Sequence, residues 1–442
     1  MASGLRKAAG GDSLARDVVP ALDLLARDPQ SHVRINAVRS LASYGAAAHD
    51  ALVRAFSDAD ANVRVAAAQS VARAVTDASE WARLWNADTT FMVRRSLLAS
   101  AAQAGVTLAG QAEWTRSPDW RLRLGAAEAA GGAGVEVARR LAWPLLRDPD
   151  GRVRAGAMGV VGAFADSASA PDARAALLAA LESDADFYAR ATALQALSSG
   201  ARAAEVPAVL RSYARARADS ANDARLAAVA YLASAWRRDS LAFADSLRTA
   251  LASLPAPADP LEREAAARTT PFRAWPGHEG TSREPGWYRD VLLATLQPSL
   301  EGRSPMAHIV TERGEIVVEL FGVDAPITAH NFMTLARAGF YRETRFHRVV
   351  PNFVAQDGDP RGDGNGSPGY AIRDELNRQR YDRGAVGMAL SGPDTGGSQY
   401  FLTHSPQPHL DGHYTVFGRV IRGFDVLDRL VQGDLILRID VR

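Results

Sequence analysis

Phe346–Asp359, FHRVVPNFVAQDGD, decides the reading of this 442-residue chain, together with Met388–Val420, MALSGPDTGGSQYFLTHSPQPHLDGHYTVFGRV. Both segments alternate short apolar runs with glycine turns, and the surrounding sequence keeps that period. Ala307–Thr311 and Glu315–Leu320 read as strands around the hairpin turn Glu312-Arg313-Gly314. Asp324 is placed to cap a helix entered through Pro326 and closed by Gly339, with Phe332 and Leu335 on its apolar face. A brief helix is expected near Phe424–Val431, then a last strand, Leu435–Val441. Many short strands with two helices suggest a closed antiparallel barrel, although the period alone does not specify one.

The ordered set FHR, F-x-x-Q, GSQYF and LDG resembles the cyclophilin-type peptidyl-prolyl isomerases over about Met306–Arg442. The resemblance implies a closed antiparallel β-barrel with two helices, an activity on X-Pro bonds in peptides and client proteins, and no cofactor. That reaction breaks no substrate bond and must only lower a rotational barrier of about 18–20 kcal/mol set by amide resonance. A fixed cation near the prolyl nitrogen or its neighbouring carbonyl favours the twisted amide, while an apolar slot holds the ring. Millisecond turnover, against tens of seconds without catalysis, asks for about 7 kcal/mol of differential stabilisation.

Arg348, in FHR, stands where the family carries its catalytic arginine, and a guanidinium is always charged and rigidly forked. Gln356 matches a glutamine that binds substrate backbone and steadies that arginine. Phe353, Val354, Phe401 and Leu410 match the wall of the proline pocket, and Gln399 another polar residue of the groove. Ala389 and Leu390 fall on the edge whose backbone pairs with an extended substrate, and Gly364 and Asn365 on the loop beside its upstream residues. There are four departures from the family pattern. Val354 replaces a frequent methionine, Leu390 an asparagine, Tyr414 a histidine at the pocket floor, and His409 the tryptophan that binds cyclosporin. The resemblance thus implies an active isomerase with weakened cyclosporin binding.

Other chemistries compete for these residues. His347, His404, His409 and His413 tempt a metal reading, but Leu410-Asp411-Gly412 between the last two reads as a turn rather than a helix, and no metal is expected. Ser398, His404 and Asp411 lack a G-x-S-x-G elbow. The loop Asp357–Gly366 resembles a calcium loop, yet Arg361 and Pro368 stand where acids are needed. Arg361-Gly362-Asp363 reads as a chance match to an adhesion signal.

The first half has another rhythm. Arg34, Arg64, Arg94, Arg123, Arg154, Arg190 and Arg225 recur at spacings of 30, 30, 29, 31, 36 and 35. Six residues before them stand Asp28, Asp58, Asp88, Ser117, Asp148, Asp184 and Asp219. Apolar runs with helical spacing flank each pair, so a unit reads helix, turn, helix, and only stacking can bury both apolar stripes. The pattern resembles HEAT repeats, with the aspartate expected to supply the arginine of its own turn with an acceptor. Such a solenoid implies a docking surface for a protein partner. Trp81, Trp85, Trp114 and Trp120 read as packing.

The division expected is a multidomain chain: an all-α HEAT-like solenoid over 13–250, a Pro/Gly-rich connector over 251–305 with a short helix around Trp287–Thr295, and the barrel over 306–442. Net charge is +1, so nothing favours nucleic acid. Lys7 is the only lysine, and cysteine is absent, which excludes disulfides and thiolate chemistry. No apolar run is long enough for a transmembrane helix. The expected location is cytoplasmic, or periplasmic or exported if a signal lies upstream. The alternative from another class is a non-catalytic scaffold whose barrel binds proline-containing segments.

Overall fold

The computed structural model describes residues 12–238, Pro257, 260–267 and 284–442. The described residues form two compact units. One draws on the described residues within Met1–Ala74, Thr90–Val93 and Ser282–Arg442, and the other on those within Val75–Thr89 and Arg94–Thr281. Of the expected connector, 251–256, 258–259 and 268–283 lie outside the described residues, as does 239–250 of the expected solenoid.

In the second unit, helices Trp120–Ala129, Gly151–Gly162, Phe187–Ser198 and Asp223–Arg238 stack in series. Shorter helical segments between them complete each repeat. Alanine dominates the shared core, with Leu177, Leu194, Val209 and Leu232 filling the space between helices that small side chains let approach closely. Trp81 and Trp114 are buried, and Trp114 packs edge-on to Trp85 with ring centroids 5.7 Å apart, so these tryptophans are packing residues.

The arginine series does not take the carboxylate of its own turn. Arg154 donates to the backbone carbonyl of Asp148 at 2.7 Å, while its fork grips the carboxylate of Asp184, one repeat onward, at 2.6 and 2.8 Å. Arg123 repeats this with Ser117 O and Asp148, and Arg190 with Asp184 O and Asp219. The reason is geometric. Asp148 and Asp184 already organise their own turns, accepting the N–H two residues on from Asp150 and Asp186, and both carboxylate oxygens face the arginine of the preceding repeat. The second aspartate caps the following helix, as Asp150 does at Arg152 N and Asp186 at Tyr188 N. At the end of the series Glu262, on helix Pro260–Ala267, supplies the acid for Arg225 at 2.9 Å.

The side chain of Asp148 is only 3% exposed, so removing it strands a guanidinium. Asp148→Ala is expected to destabilise the second unit by about 3 kcal/mol, the cost of breaking a buried ion pair from one side. Urea unfolding followed by tryptophan fluorescence reads this directly, because Trp120 and Trp143 pack against the core of this unit.

The first unit joins the opening helices, Asp12–Leu25, Ser31–Leu41, His49–Ala55 and Ala61–Ser70, with eight antiparallel strands. These are β1 Met306–Thr311, β2 Gly314–Leu320, β3 Arg348–Val350, β4 Val354–Asp357, β5 Ala385–Met388, β6 Tyr400–Thr403, β7 Val416–Arg422 and β8 Ile436–Val441. Their order is β3-β4-β6-β5-β7-β2-β1-β8. No continuous ladder links β3 to β8, so the closed barrel expected from the sequence is observed as an open order with a seam. At the seam a lone bridge pairs Arg345 with Leu435, and Phe346 N–H donates to Asp434 O at 3.0 Å, Gly433 N–H to Phe346 O at 2.9 Å.

Helix Pro326–Arg337 fills the core with Phe332, which meets Tyr341, Tyr400 and Phe417 at 5.2–5.5 Å. Asp324 does not cap it. The distant Glu375 does, accepting from Ile327 N at 3.0 Å and Thr328 N at 2.7 Å. The helix expected around Trp287–Thr295 runs longer, from Pro285 to Leu300 through a π-helical stretch at Leu292–Leu296. It rests on helix Pro326–Arg337 with Trp287 edge-on to His330.

Candidate functional site

Alternation along the strands sorts side chains between two faces. Ala355, Tyr400, Leu402 and Val386 enter the main core. Their neighbours Val354, Phe401, Ala385 and Val416 face the other way and form a second buried cluster with Tyr381 and Leu410, edged by Phe353, Ala389 and Tyr414. The register then assembles the polar groups: β3–β4 pairing sets Arg348 opposite Gln356, and β4–β6 pairing sets Gln356 opposite Phe401.

A chain of amides orients the cation. Gln399 Nε2 donates to Gly364 O and Gly366 O, both at 2.9 Å, which leaves Gln399 Oε1 to accept from Gln356 Nε2 at 3.0 Å. Gln356 must therefore present Oε1 outward, and Arg348 Nη1 donates to it at 3.3 Å. The exposed Arg348 guanidinium also lies over the Phe353 ring, 5.3 Å from its centroid.

The apolar slot is built from stacked rings. Phe353 stacks on exposed His409 at 5.7 Å, and Phe401 lies against Tyr381 at 5.5 Å and edge-on to Tyr414 at 6.2 Å. Ala389 N–H is spent on Gln399 O at 3.0 Å, which leaves its carbonyl as the group a peptide could use. Leu390 packs against the main core, and Gly364 and Asn365 stand exposed on the loop that Gln399 holds. All thirteen expected residues thus fall on one side of the strands or on the loops bordering it.

Tyr381 was not expected, since it sits in a polar run with no periodic signal. Gly387 was also missed, although a glycine inside a strand signals close approach. A Cβ there would drive into the Phe401 ring and the Tyr381 hydroxyl.

The competing chemistries lose their parts. Ser398 Oγ donates to Gly358 O at 2.6 Å, and buried His404 sits between Val350 O and Leu427 O, so no triad forms. Burial lowers the pKa of His404 and of His347. Arg361 and Asp363 pair with each other at 3.0 Å. Among the described residues no group of three or more His, Asp or Glu is arranged to hold a metal, and no helix is long and apolar enough to cross a membrane.

Asp357, adjacent to Gln356, points into the main core opposite Tyr400. Burial pushes its carboxyl up to about 7, against a smaller opposing effect of Thr344. Thr344 Oγ1 lies 2.8 Å from it and 2.9 Å from Tyr341 O. The hydroxyl has one proton for two acceptors, a geometry satisfied when Asp357 is protonated and donates.

Comparison with known proteins matches one segment in each part of the chain. The family described as cyclophilin type peptidyl-prolyl cis-trans isomerase/CLD matches residues 306–438, and HEAT repeats match 111–198. A peptidyl-prolyl cis-trans isomerase of Helicobacter pylori is 49% identical over 138 residues, covering 30% of this chain and 85% of the relative. Isomerase B of Bacillus subtilis is 44% identical over 135 residues, covering 30% and 94%. A solved Cryptosporidium parvum isomerase, crystallised in the presence of the dipeptide Ala-Pro, is 34% identical with a TM-score of 0.30, covering 31% and 98%. With the arginine–glutamine pair and its aromatic slot in a segment this similar to its relatives, the chain belongs to the cyclophilin-type peptidyl-prolyl cis-trans isomerase family, joined to HEAT repeats, and catalyses X-Pro isomerisation.

Proposed function

We propose that Arg348 is the catalytic cation and that Gln356 orients it, with the Gln399-to-loop amide chain as the observation that carries the assignment. The guanidinium meets the prolyl amide as the bond twists and the nitrogen lone pair localises, so its interaction is stronger in the transition state than in either planar isomer. Phe353, Val354, Phe401, Leu410 and Tyr414 hold the ring, while His409, Gln399, Ala389, Leu390, Gly364 and Asn365 line the path of the flanking peptide. Contacts across the Arg345–Leu435 seam support closure of the strands into a barrel.

The working division is a solenoid over 13–250, a connector over 251–305 and the isomerase over 306–442, acting on proline-containing segments of client proteins. HEAT-like repeats present large docking surfaces, so the solenoid recruits a client and raises its effective concentration at the pocket. The test compares kcat/KM for a short X-Pro peptide with that for an unfolded protein whose refolding is limited by X-Pro isomerisation. An advantage for the protein substrate that disappears in Asp148→Ala supports recruitment. Equal values for both substrates refute it.

A further inference from the structure

The first unit contains more than the isomerase. Among the described residues, its opening helices reach the turns on both sides of the seam. On one side, Arg39 Nη1 donates to Pro351 O at 3.1 Å and Asn352 Nδ2 donates to His32 O at 3.1 Å. On the other, Asn62 Nδ2 donates to Leu430 O at 2.9 Å, with Asn62 only 5% exposed.

The β3–β4 turn gripped by Arg39 is the segment that carries the site. Asn352 adopts a left-handed φ of 65°, a conformation that costs a non-glycine residue energy and persists only when neighbours hold it. Ser405 Oγ and Gln407 Nε2 hold it from one side, donating to Asn352 O at 2.6 and 2.9 Å. The helix Ser31–Leu41 holds it from the other. Phe353 follows immediately, and Arg348 lies at the other end of the same hairpin, over the Phe353 ring. Beneath the turn, the buried His404 ring sits between Val350 O and Leu427 O, donating to one of them, and so packs between the chain leading to each gripped residue.

The geometry points to a positioning role for Arg39 and Asn62: the first two repeats clasp the seam and fix the β3–β4 turn, and through it Phe353 and Arg348. This rests on the assignment of Phe353 and Arg348 to the site. The solenoid's opening thus sets the intrinsic activity of the pocket, even toward a peptide too short to reach a docking surface.

Steady-state isomerisation of a tetrapeptide by the full chain tests this with Arg39→Ala, Arg39→Lys, Asn62→Ala and, as a control, Arg348→Ala. A loosened turn widens the slot, so Arg39→Ala is expected to raise KM roughly two- to tenfold, the scale of one lost hydrogen bond. Arg39→Lys, which keeps a donor for Pro351 O, recovers part of that. A merely unfolded fraction would lower apparent kcat and leave KM unchanged. Faster amide exchange confined to 350–353 in Arg39→Ala, and to 430–433 in Asn62→Ala, is the accompanying signature. Unchanged KM in both alanine variants overturns the clasp provided that Arg348→Ala lowers kcat/KM by about 100-fold or more. Full activity in Arg348→Ala overturns the site assignment instead.

Discussion

Arg348→Ala is expected to lower kcat/KM for a short X-Pro peptide by about 100- to 1000-fold, the usual effect of removing one preorganised donor to developing charge. The loss falls on kcat. Val354, Phe401 and Leu410 remain to bury the proline ring, so KM changes little, and the missing interaction is one made mainly to the twisted amide. Arg348→Lys recovers only part of the rate, since an ammonium keeps the charge but cannot both accept orientation from Gln356 Oε1 and present a second fixed donor. A protease-independent exchange assay measures both parameters. Full activity in Arg348→Ala would remove the cation from the mechanism and reduce the pocket to a cradle.

The second large effect concerns pH. Asp357 has its carboxyl raised by burial to about 7 from an ordinary 3.8. The folded state therefore holds this proton more tightly than the unfolded chain does. Its stabilising contribution is complete below about pH 4 and is lost as pH rises through about 7, to a total of about 4 kcal/mol for a shift near three units. Asp357→Asn keeps a donor for Thr344 Oγ1 and never ionises. Below pH 4 the variant and parent should inactivate at similar temperatures. Between pH 5 and 8 the parent's midpoint should fall while that of Asp357→Asn stays level. Thermal loss of isomerase activity is the suitable readout, because the strands hold no tryptophan. A parent midpoint flat across that range would mean that the carboxyl does not titrate there.

Much of the strand-rich segment was legible because its signals are local. Arg348, Gln356 and Phe353 lie within one hairpin, so a short stretch of sequence contains the cation, its orienting amide and the first wall of the slot. What escaped was set by distant partners. Asp324 satisfied every local criterion for a cap, yet Glu375 reaches the helix first. The arginine series shows the same limit: a spacing of six suggested pairing within one turn, while the carboxylates that grip Arg123 and Arg154 lie 25 and 30 residues onward. Tyr381 entered the slot from a polar run because β5 and β6 bring Phe401 beside it. Nor could periodicity show that the opening helices grip the isomerase. Those contacts use three backbone carbonyls and an asparagine at a strained φ, none of which leaves a compositional mark.

The carboxylate that reaches back one repeat gives the stack a grammar for gene duplication. Arg34, Arg123, Arg154 and Arg190 each take the acid of the next unit, while Ser117 stands where the unit after Arg94 would carry one. Within the run from Arg123 to Asp219, excising or copying a whole unit rejoins compatible ends, whatever the unit's exact length, whereas a fractional unit leaves a charge unanswered. Recombination that respects this phase yields solenoids of new length with those charges still matched, and Glu262 gives Arg225 its acid from outside the aspartate series.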